Sequence, residues 1–287
     1  MQNTLACRAA YHAHADLRQI QKGIHSMDKA PVLFISHGSP ALALTDSPAH
    51  RFLTQLGRSL PRPDAIVMVS AHWEAMGGVA VSFAPQPETI YDFGGFSPAL
   101  KTIRYPAPGA PDVAQQVADQ LEQAGFQVKR STTRGLDHGA WVPLHLMYPE
   151  ADIPTFQVSV IHGASAAEHL RLGRALAALR EQNVCIIGSG SMTHNLYEFR
   201  GQPIDTQTAA WVSGFSDWMH DRIEAHETDA LLDYRRQAPH AAQNHPTDEH
   251  LMPLYVAMGA AGEDWQARRI HNSVEYGVLA MDVYAFA

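Results

Sequence analysis

Apolar positions along this chain follow two rhythms. Short runs at 32–35, 65–70, 79–83, 156–161 and 184–187 are nearly unbroken, and glycine, proline or small polar residues close each one. That pattern predicts strands buried on both faces of a sheet. Between them, apolar residues recur every three or four positions, predicting helices over 47–56, 111–124, 165–180 and 206–227. Gly57 and Gly125 stop the first two, and Ser165 with Glu168 has capping-box spacing at the start of the third. An edge strand is expected at 128–132, a short helix at 229–234, and a closing strand pair from 268–270 and 276–286. Strands alternating with helices give one α/β domain over 27–287, with a central, mostly parallel or mixed sheet flanked by helices.

The stretch Asn244-His245-Pro246-Thr247-Asp248-Glu249-His250-Leu251-Met252-Pro253-Leu254 is unlike the rest. Two histidines and two carboxylates crowd into six residues just ahead of an apolar, small-residue run. Proline is tolerated only in the first turn of a helix, so a helix is expected to start near Glu249 or His250 and to run through Met258. The bland alternative is a polar loop capping a buried helix.

Composition changes this picture in one respect. The 287 residues are 46% hydrophobic and 17% charged, with a net charge of −8. This balance offers no basic footprint for nucleic acid and no polybasic membrane patch. No apolar run is long enough to span a bilayer. Two cysteines, Cys7 and Cys185, suit a reducing cytoplasm and do not make a CxxC metal site. Residues 1–26 lack the apolar stretch of a secretory signal and read as an N-terminal appendage, with a short amphipathic helix at 9–21. The outlier is histidine: 17 residues against 21 Lys and Arg combined. Histidine is the commonest side-chain ligand of transition metals, which directs attention to where these residues fall.

Several fall where strands end. His37 follows the 32–35 run, His72 the 65–70 run, and His194 follows 184–187 through Gly188-Ser189-Gly190-Ser191. In open α/β sheets ligands bind outside the carboxyl ends of strands, so residues far apart in sequence become candidate neighbours. His138 lies in the glycine-flanked segment Gly135 to Leu144, where Asp137 or a neighbour is placed to orient its ring. His162 also follows a strand and reads as an ordinary loop histidine. The loop Tyr91-Asp92-Phe93-Gly94-Gly95-Phe96 is suited to wall a pocket for a flat substrate, or to be a packed surface loop. Convergence of His37, His72, His138, His194, His245 and His250 would make a non-haem metal site, with spare imidazoles as acid and base.

Ser36-His37-Gly38-Ser39-Pro40, Ser70-Ala71-His72-Trp73-Glu74, the 91–96 loop, Asp137-His138-Gly139, Gly188-Ser189-Gly190 through Asn195, and His245-Pro246 through Glu263 together resemble the DODA-type extradiol dioxygenases. These belong to the protocatechuate 4,5-dioxygenase-like, class III extradiol superfamily. The resemblance covers about residues 30 to 286 and implies a ring-opening enzyme acting on a catechol (DOPA-like) with O2. It implies Fe(II) for activity, with Zn(II) as another ion the site accepts. By matching positions, His37 and His72 are two metal ligands, and His250 takes the third place, where protocatechuate enzymes have a carboxylate. His245 and Glu249 remain alternatives for that place. His194 matches the acid/base histidine, His138 a substrate-facing one, and His245 is a further candidate for proton transfer. Rival readings are a zinc hydrolase and a Memo-like interaction protein.

Overall fold

The computed structural model describes residues 29–287. The expected appendage and its helix lie outside the described residues. Eight strands form one mixed sheet in the order β4-β3-β5-β2-β6-β1-β10-β7. They are β1 (Val32–Ser36), β2 (Ala65–Ala75), β3 (Val79–Ser82), β4 (Val128–Ser131), β5 (Thr155–Ile161), β6 (Val184–Gly190), β7 (Ala267–His271) and β10 (Val283–Phe286). A separate two-stranded ribbon pairs β8 (Val274–Glu275) with β9 (Leu279–Ala280). The helices are α1 (Pro48–Ser59), α2 (Pro111–Gln123), α3 (His138–Met147), α4 (Ala166–Leu176), α5 (Ala210–Glu224), the short α6 (Thr228–Leu232), α7 (Tyr234–Gln237) and α8 (Ala241–Asn244), and α9 (Met252–Ala261).

The unbroken apolar runs occupy the middle of the sheet, as burial on both faces requires. β1 and β6 are buried at every position, and β2 from Ala65 through Ala71. β5, β2, β6 and β1 all run parallel, so their carboxyl ends share one edge. The register pairs Ser36 with Gly190, and Ser70 with both Ser189 and Ser159. Three histidine-bearing segments therefore leave the sheet at one level. The expected closing strand pair is β7 with β10, antiparallel at the opposite flank from β4. The Ser165–Glu168 capping box is present.

Local departures from the expected elements cluster around the histidines. β2 continues past Ser70 to Ala75, and its pairing to β5 jumps from Ser70–Ser159 to Glu74–Val160. Ala71, His72 and Trp73 bulge out of the ladder, which aims the His72 ring away from the sheet. The segment 135–144, read from the sequence only as a glycine-flanked histidine site, contributes most of α3. Its burial on nearly all sides leaves no amphipathic stripe to read, and Gly139 and Pro143 lower its helix propensity. Asp137 caps it, accepting from the Ala140 N–H at 3.2 Å. α9 begins at Met252 rather than near His250, which keeps Pro253 within the first two helical positions. His250 therefore sits in the turn ahead of the helix. α5 is shorter than the expected 206–227 segment, and the expected 165–180 helix passes into a 3₁₀ turn after Leu176.

The turn ahead of α9 lies directly on β6. The Ser191 N–H donates to the His250 carbonyl at 2.8 Å. A Cβ at Gly190 would fall 2.1 Å from that carbonyl oxygen, and one at Gly188 would fall 2.2 Å from the Pro253 oxygen. Both contacts are backbone and cannot swing aside. Gly190→Ala is therefore expected to destabilise the fold by about 1–3 kcal/mol, the usual cost of overpacking. Urea denaturation of the metal-free protein measures this; an unchanged midpoint would mean the turn carrying His250 yields freely.

Candidate metal centre

Five of the six histidines singled out in the sequence surround one point. His37 Nε2 lies 3.0 Å from His72 Nε2, which lies 3.3 Å from His250 Nε2. One nitrogen from each of these rings falls within 4.8 Å of the others. Their proton positions follow from what the opposite nitrogens touch. Ser189 Oγ gives its proton to the Gly139 carbonyl, so it accepts from His37 Nδ1 at 3.0 Å. Glu249 Oε1 has only lone pairs and accepts from His250 Nδ1 at 3.0 Å. Asp92 Oδ2 stands 3.7 Å from His72 Nδ1. Each ring is thereby driven toward the tautomer whose bare Nε2 faces the centre.

Three lone pairs pointed at one another repel unless a cation lies between them. Metal–nitrogen bonds of about 2.0–2.1 Å place neighbouring ligand nitrogens roughly 2.8–3.4 Å apart at octahedral or tetrahedral angles. The measured separations of 3.0 and 3.3 Å match that range, so these residues fit a single divalent ion. Burial keeps the rings in the ligating, uncharged form. Desolvation, then the neighbouring histidines, depress His37 and His250 far below the ordinary imidazole value. His72 is lowered to about 3, by burial first and His138 next, against the opposing pull of Asp92.

The origin of the Ser189 contact lies in α3. Pro143 has no N–H to offer the carbonyl of Gly139 four residues earlier, so that oxygen is left to the Ser189 hydroxyl. A Cβ at Gly139 would meet Ser70 Oγ at 2.4 Å, the His72 ring at 3.0 Å and the His37 ring at 3.2 Å. Only glycine lets α3 begin this close to the imidazoles. Asp137, fully buried, accepts from Ser70 Oγ at 2.6 Å and from Arg134 at 2.6 Å. Arg134 also donates to the His72 carbonyl at 3.3 Å. Asp137 thus steadies the backbone around His72.

His194 stacks flat on His250, with centroids 3.5 Å apart and planes 7° from parallel. Parallel rings at that separation cannot both hold one ion in their planes, so His194 stands beside the three nitrogens and not among them. Burial lowers it to about 4, leaving it uncharged and able to take a proton. His138 lies 3.9 Å from His72 between ring centroids and 5.4 Å from His37. It is bound to Asp92, from the loop 46 residues upstream, where the sequence pointed to Asp137 or a neighbour. His245 is fully buried, donates from Nε2 to the Met192 carbonyl at 2.9 Å, and packs on Phe215. Its ring braces the segment leading to His194 through that bond. His162 pairs with Glu74 at the surface, at 2.7 Å.

The 91–96 loop forms an aromatic wall. Phe93 meets the His138 ring edge-on at 5.7 Å, and Phe96, Tyr91 and Trp141 each lie 5.7–6.3 Å from Phe93. Leu196 and Tyr197, two and three positions beyond His194, are exposed. Sequence reasoning passed over Ser189 and Asp92 as site residues. Ser189 carried no signal among the small residues of its run; Asp92 did, as the one acid inside an aromatic, glycine-rich loop.

An edge-of-sheet centre of this kind, walled by aromatic side chains and equipped with spare imidazoles, is that of a mononuclear metal-dependent enzyme acting on a flat substrate. Residues 31–287 match the family described as the catalytic LigB subunit of aromatic ring-opening dioxygenase. A 4,5-DOPA dioxygenase extradiol of Beta vulgaris is 42% identical over 88% of this chain and 95% of its own length. One of Escherichia coli K12 is 38% identical over 90% and 95%. A crystal structure of an uncharacterised E. coli K12 protein superposes with a TM-score of 0.74 at 32% identity, over 90% of this chain and 99% of that one. The chain belongs to the LigB family of ring-opening dioxygenases, in its DODA-type extradiol branch. No helix among the described residues is long and apolar enough to cross a membrane.

Buried imidazoles, His37 and His250 among them, make the metal-free fold acid-sensitive. His72 is depressed to about 3, and His194, His245 and His271 to about 4, each chiefly by burial. Between those values and the unfolded value near 6.5, the unfolded chain binds more protons than the native one. Stability is therefore constant above about pH 6.5 and falls as pH drops toward 4, by about 1.4 kcal/mol per pH unit for each group fully neutral in the fold. Urea midpoints of chelator-treated protein at pH 7.5 and pH 5 measure this, with a clear loss expected at pH 5. Added divalent ion should raise the midpoint more at pH 7.5 than at pH 5, because protons compete for the same nitrogens.

Proposed function

We propose that this chain cleaves a catechol ring beside its two hydroxyls, consuming dioxygen at a single Fe(II) ion held by His37, His72 and His250. The observation that carries the ligand assignment is the convergence of three uncharged Nε2 atoms at 3.0 and 3.3 Å. Bound there, Fe(II) supplies electron transfer between a chelated catechol and dioxygen, chemistry that redox-inert Zn(II) lacks. Three neutral ligands leave the ion its full positive charge, which favours a deprotonated catechol. The name of the Beta vulgaris relative supports a DOPA-like catechol as substrate.

The chain's own residues bind, orient and move protons. Phe93 and Phe96 offer an edge and a face to a planar ring, while His138 stands between that wall and His72. His194, uncharged and stacked on His250, takes a proton from a catechol hydroxyl and returns it to an oxygen as the ring opens. His245 fixes the Met192 carbonyl and so holds the turn that presents His194. Buried free Cys185 and the −8 net charge suit a cytoplasmic enzyme of small molecules rather than a nucleic-acid partner.

Anaerobic reconstitution with Fe(II), followed by oxygen uptake with DOPA, protocatechuate, caffeate and catechol, tests the reading. Stoichiometric loss of oxygen and catechol with a yellow semialdehyde product is expected. Absence of uptake with all four, together with ester hydrolysis by zinc-loaded protein, would replace it with a hydrolase. Elemental analysis checks the ligands: His37→Ala, His72→Ala and His250→Ala should each lose the ion. His194→Ala should retain it and lose about 10²–10⁴ in turnover, the range of general acid–base catalysis.

A further inference from the structure

Asp92 occupies a position that neither ligation nor proton transfer accounts for. Its Oδ1 accepts from two donors of one residue, the backbone N–H of His138 at 3.0 Å and the ring Nδ1 at 2.9 Å. Its Oδ2 faces His72 Nδ1 at 3.7 Å. The carboxylate thus stands between the residue that opens α3 and the bulged residue of β2. The approach is built into the backbone. Segments 88–90 and 135–136 run side by side in a parallel bridge between Thr89 and Leu136, with the Leu136 N–H on the Glu88 carbonyl at 2.7 Å and the Ile90 N–H on the Leu136 carbonyl at 2.8 Å. Two residues beyond that bridge, Asp92 meets His138. Phe93, the next residue, carries the ring that packs on His138.

We infer that Asp92 is a positioning residue that fixes the proton placement of His138 and His72 together, so that the aromatic loop which walls the pocket also completes the metal site. An ionised carboxylate only accepts, so a neutral His138 must carry its proton on Nδ1 and present a bare Nε2. At His72 the carboxylate, 3.7 Å from Nδ1 and beyond hydrogen-bond reach, acts by its charge and favours the tautomer with the proton on Nδ1, which keeps Nε2 for the ion. One side chain therefore sets a proton acceptor beside the substrate wall and a ligand in the centre. Because Asp92 and Phe93 are adjacent, a loop displaced from the pocket withdraws both the wall and the carboxylate.

The inference rests on the metal site proposed above, and Asp92→Asn tests it. The amide oxygen can keep both His138 contacts, which preserves the shape of the loop and the start of α3. Its NH2 group then replaces Oδ2 and turns a donor toward the His72 donor. His72 is pushed toward the other tautomer, with a proton where the ion belongs. Affinity for Zn(II), read by chelator competition, should fall about 10–100-fold, the usual effect of losing a partner behind a metal-bound histidine. Long-range ¹H–¹⁵N spectra of the metal-free protein should show the His72 proton moving from Nδ1 to Nε2. In His138→Ala protein, Asp92→Asn should still weaken zinc binding by the same factor, since that effect runs through His72. Unchanged zinc affinity and an unchanged His72 tautomer in Asp92→Asn would overturn the inference. None of these readouts needs oxygenase activity. Failure of the catechol reaction and failure of the Asp92 role are therefore separate results, and zinc retained by His72→Ala would instead remove the ligand set.

Discussion

Three imidazole nitrogens, each bare and each aimed at the others, form an arrangement that a folded chain does not hold without cause. Repulsion among the lone pairs and the desolvation of three rings both oppose it. Surrounding groups must therefore hold the rings before any ion arrives, and much of the upper edge of the sheet serves that end. Ser189 accepts from His37, Glu249 accepts from His250, and the Asp92 carboxylate faces His72 Nδ1 at 3.7 Å, so each favours the same tautomer in its histidine. Such preorganisation is costly in a free protein and useful in a metalloprotein, because the ordering has been completed before the metal binds.

The constraint reaches into the fold. Parallel register places Ser36 beside Gly190 and Ser70 beside Ser189, so the residues just beyond them emerge together. A bulge in β2 and a helix that opens at His138 then turn side chains inward. Pro143 has a consequence beyond its own helix, since the hydrogen bond it fails to make frees the Gly139 carbonyl for Ser189. Gly139, Gly188 and Gly190 are small for the same reason: backbone and rings pass closer there than a Cβ permits.

Chemistry in this family divides naturally between ion and protein. The ion accounts for the meeting of two reactants that otherwise react slowly, and the protein accounts for protons and orientation. The imidazoles of His194 and His138 stand beside the three converging rings, one stacked on His250 and the other tilted against His72. A substrate ring seated against Phe93 would lie beside His138. Burial, which keeps His194 uncharged at neutral pH, also supplies the weakly screened surroundings in which small proton shifts have large effects.

The alternating rhythm of apolar runs and amphipathic segments was enough to give an α/β domain, the central strands, the capping box at Ser165 and the closing antiparallel pair, because burial of a sheet and of a helix stripe leaves periodic marks. The histidines after β1, β2 and β6 were legible for a related reason: parallel strands place their carboxyl ends together, and those positions hold ligands. What the sequence left open was decided by contacts between distant segments. His250, and not Glu249 or His245, turns toward His72 because α9 starts late enough to keep Pro253 in its first turn. α3 was hidden because a helix buried on nearly all sides has no polar face to give it a period. Asp92 and Ser189 were hidden because a hydrogen bond across 46 or 152 residues has no local signature. Strand and helix periods are properties of neighbours along the chain. The direction of a ring, and which of its nitrogens carries the proton, are properties of neighbours in space.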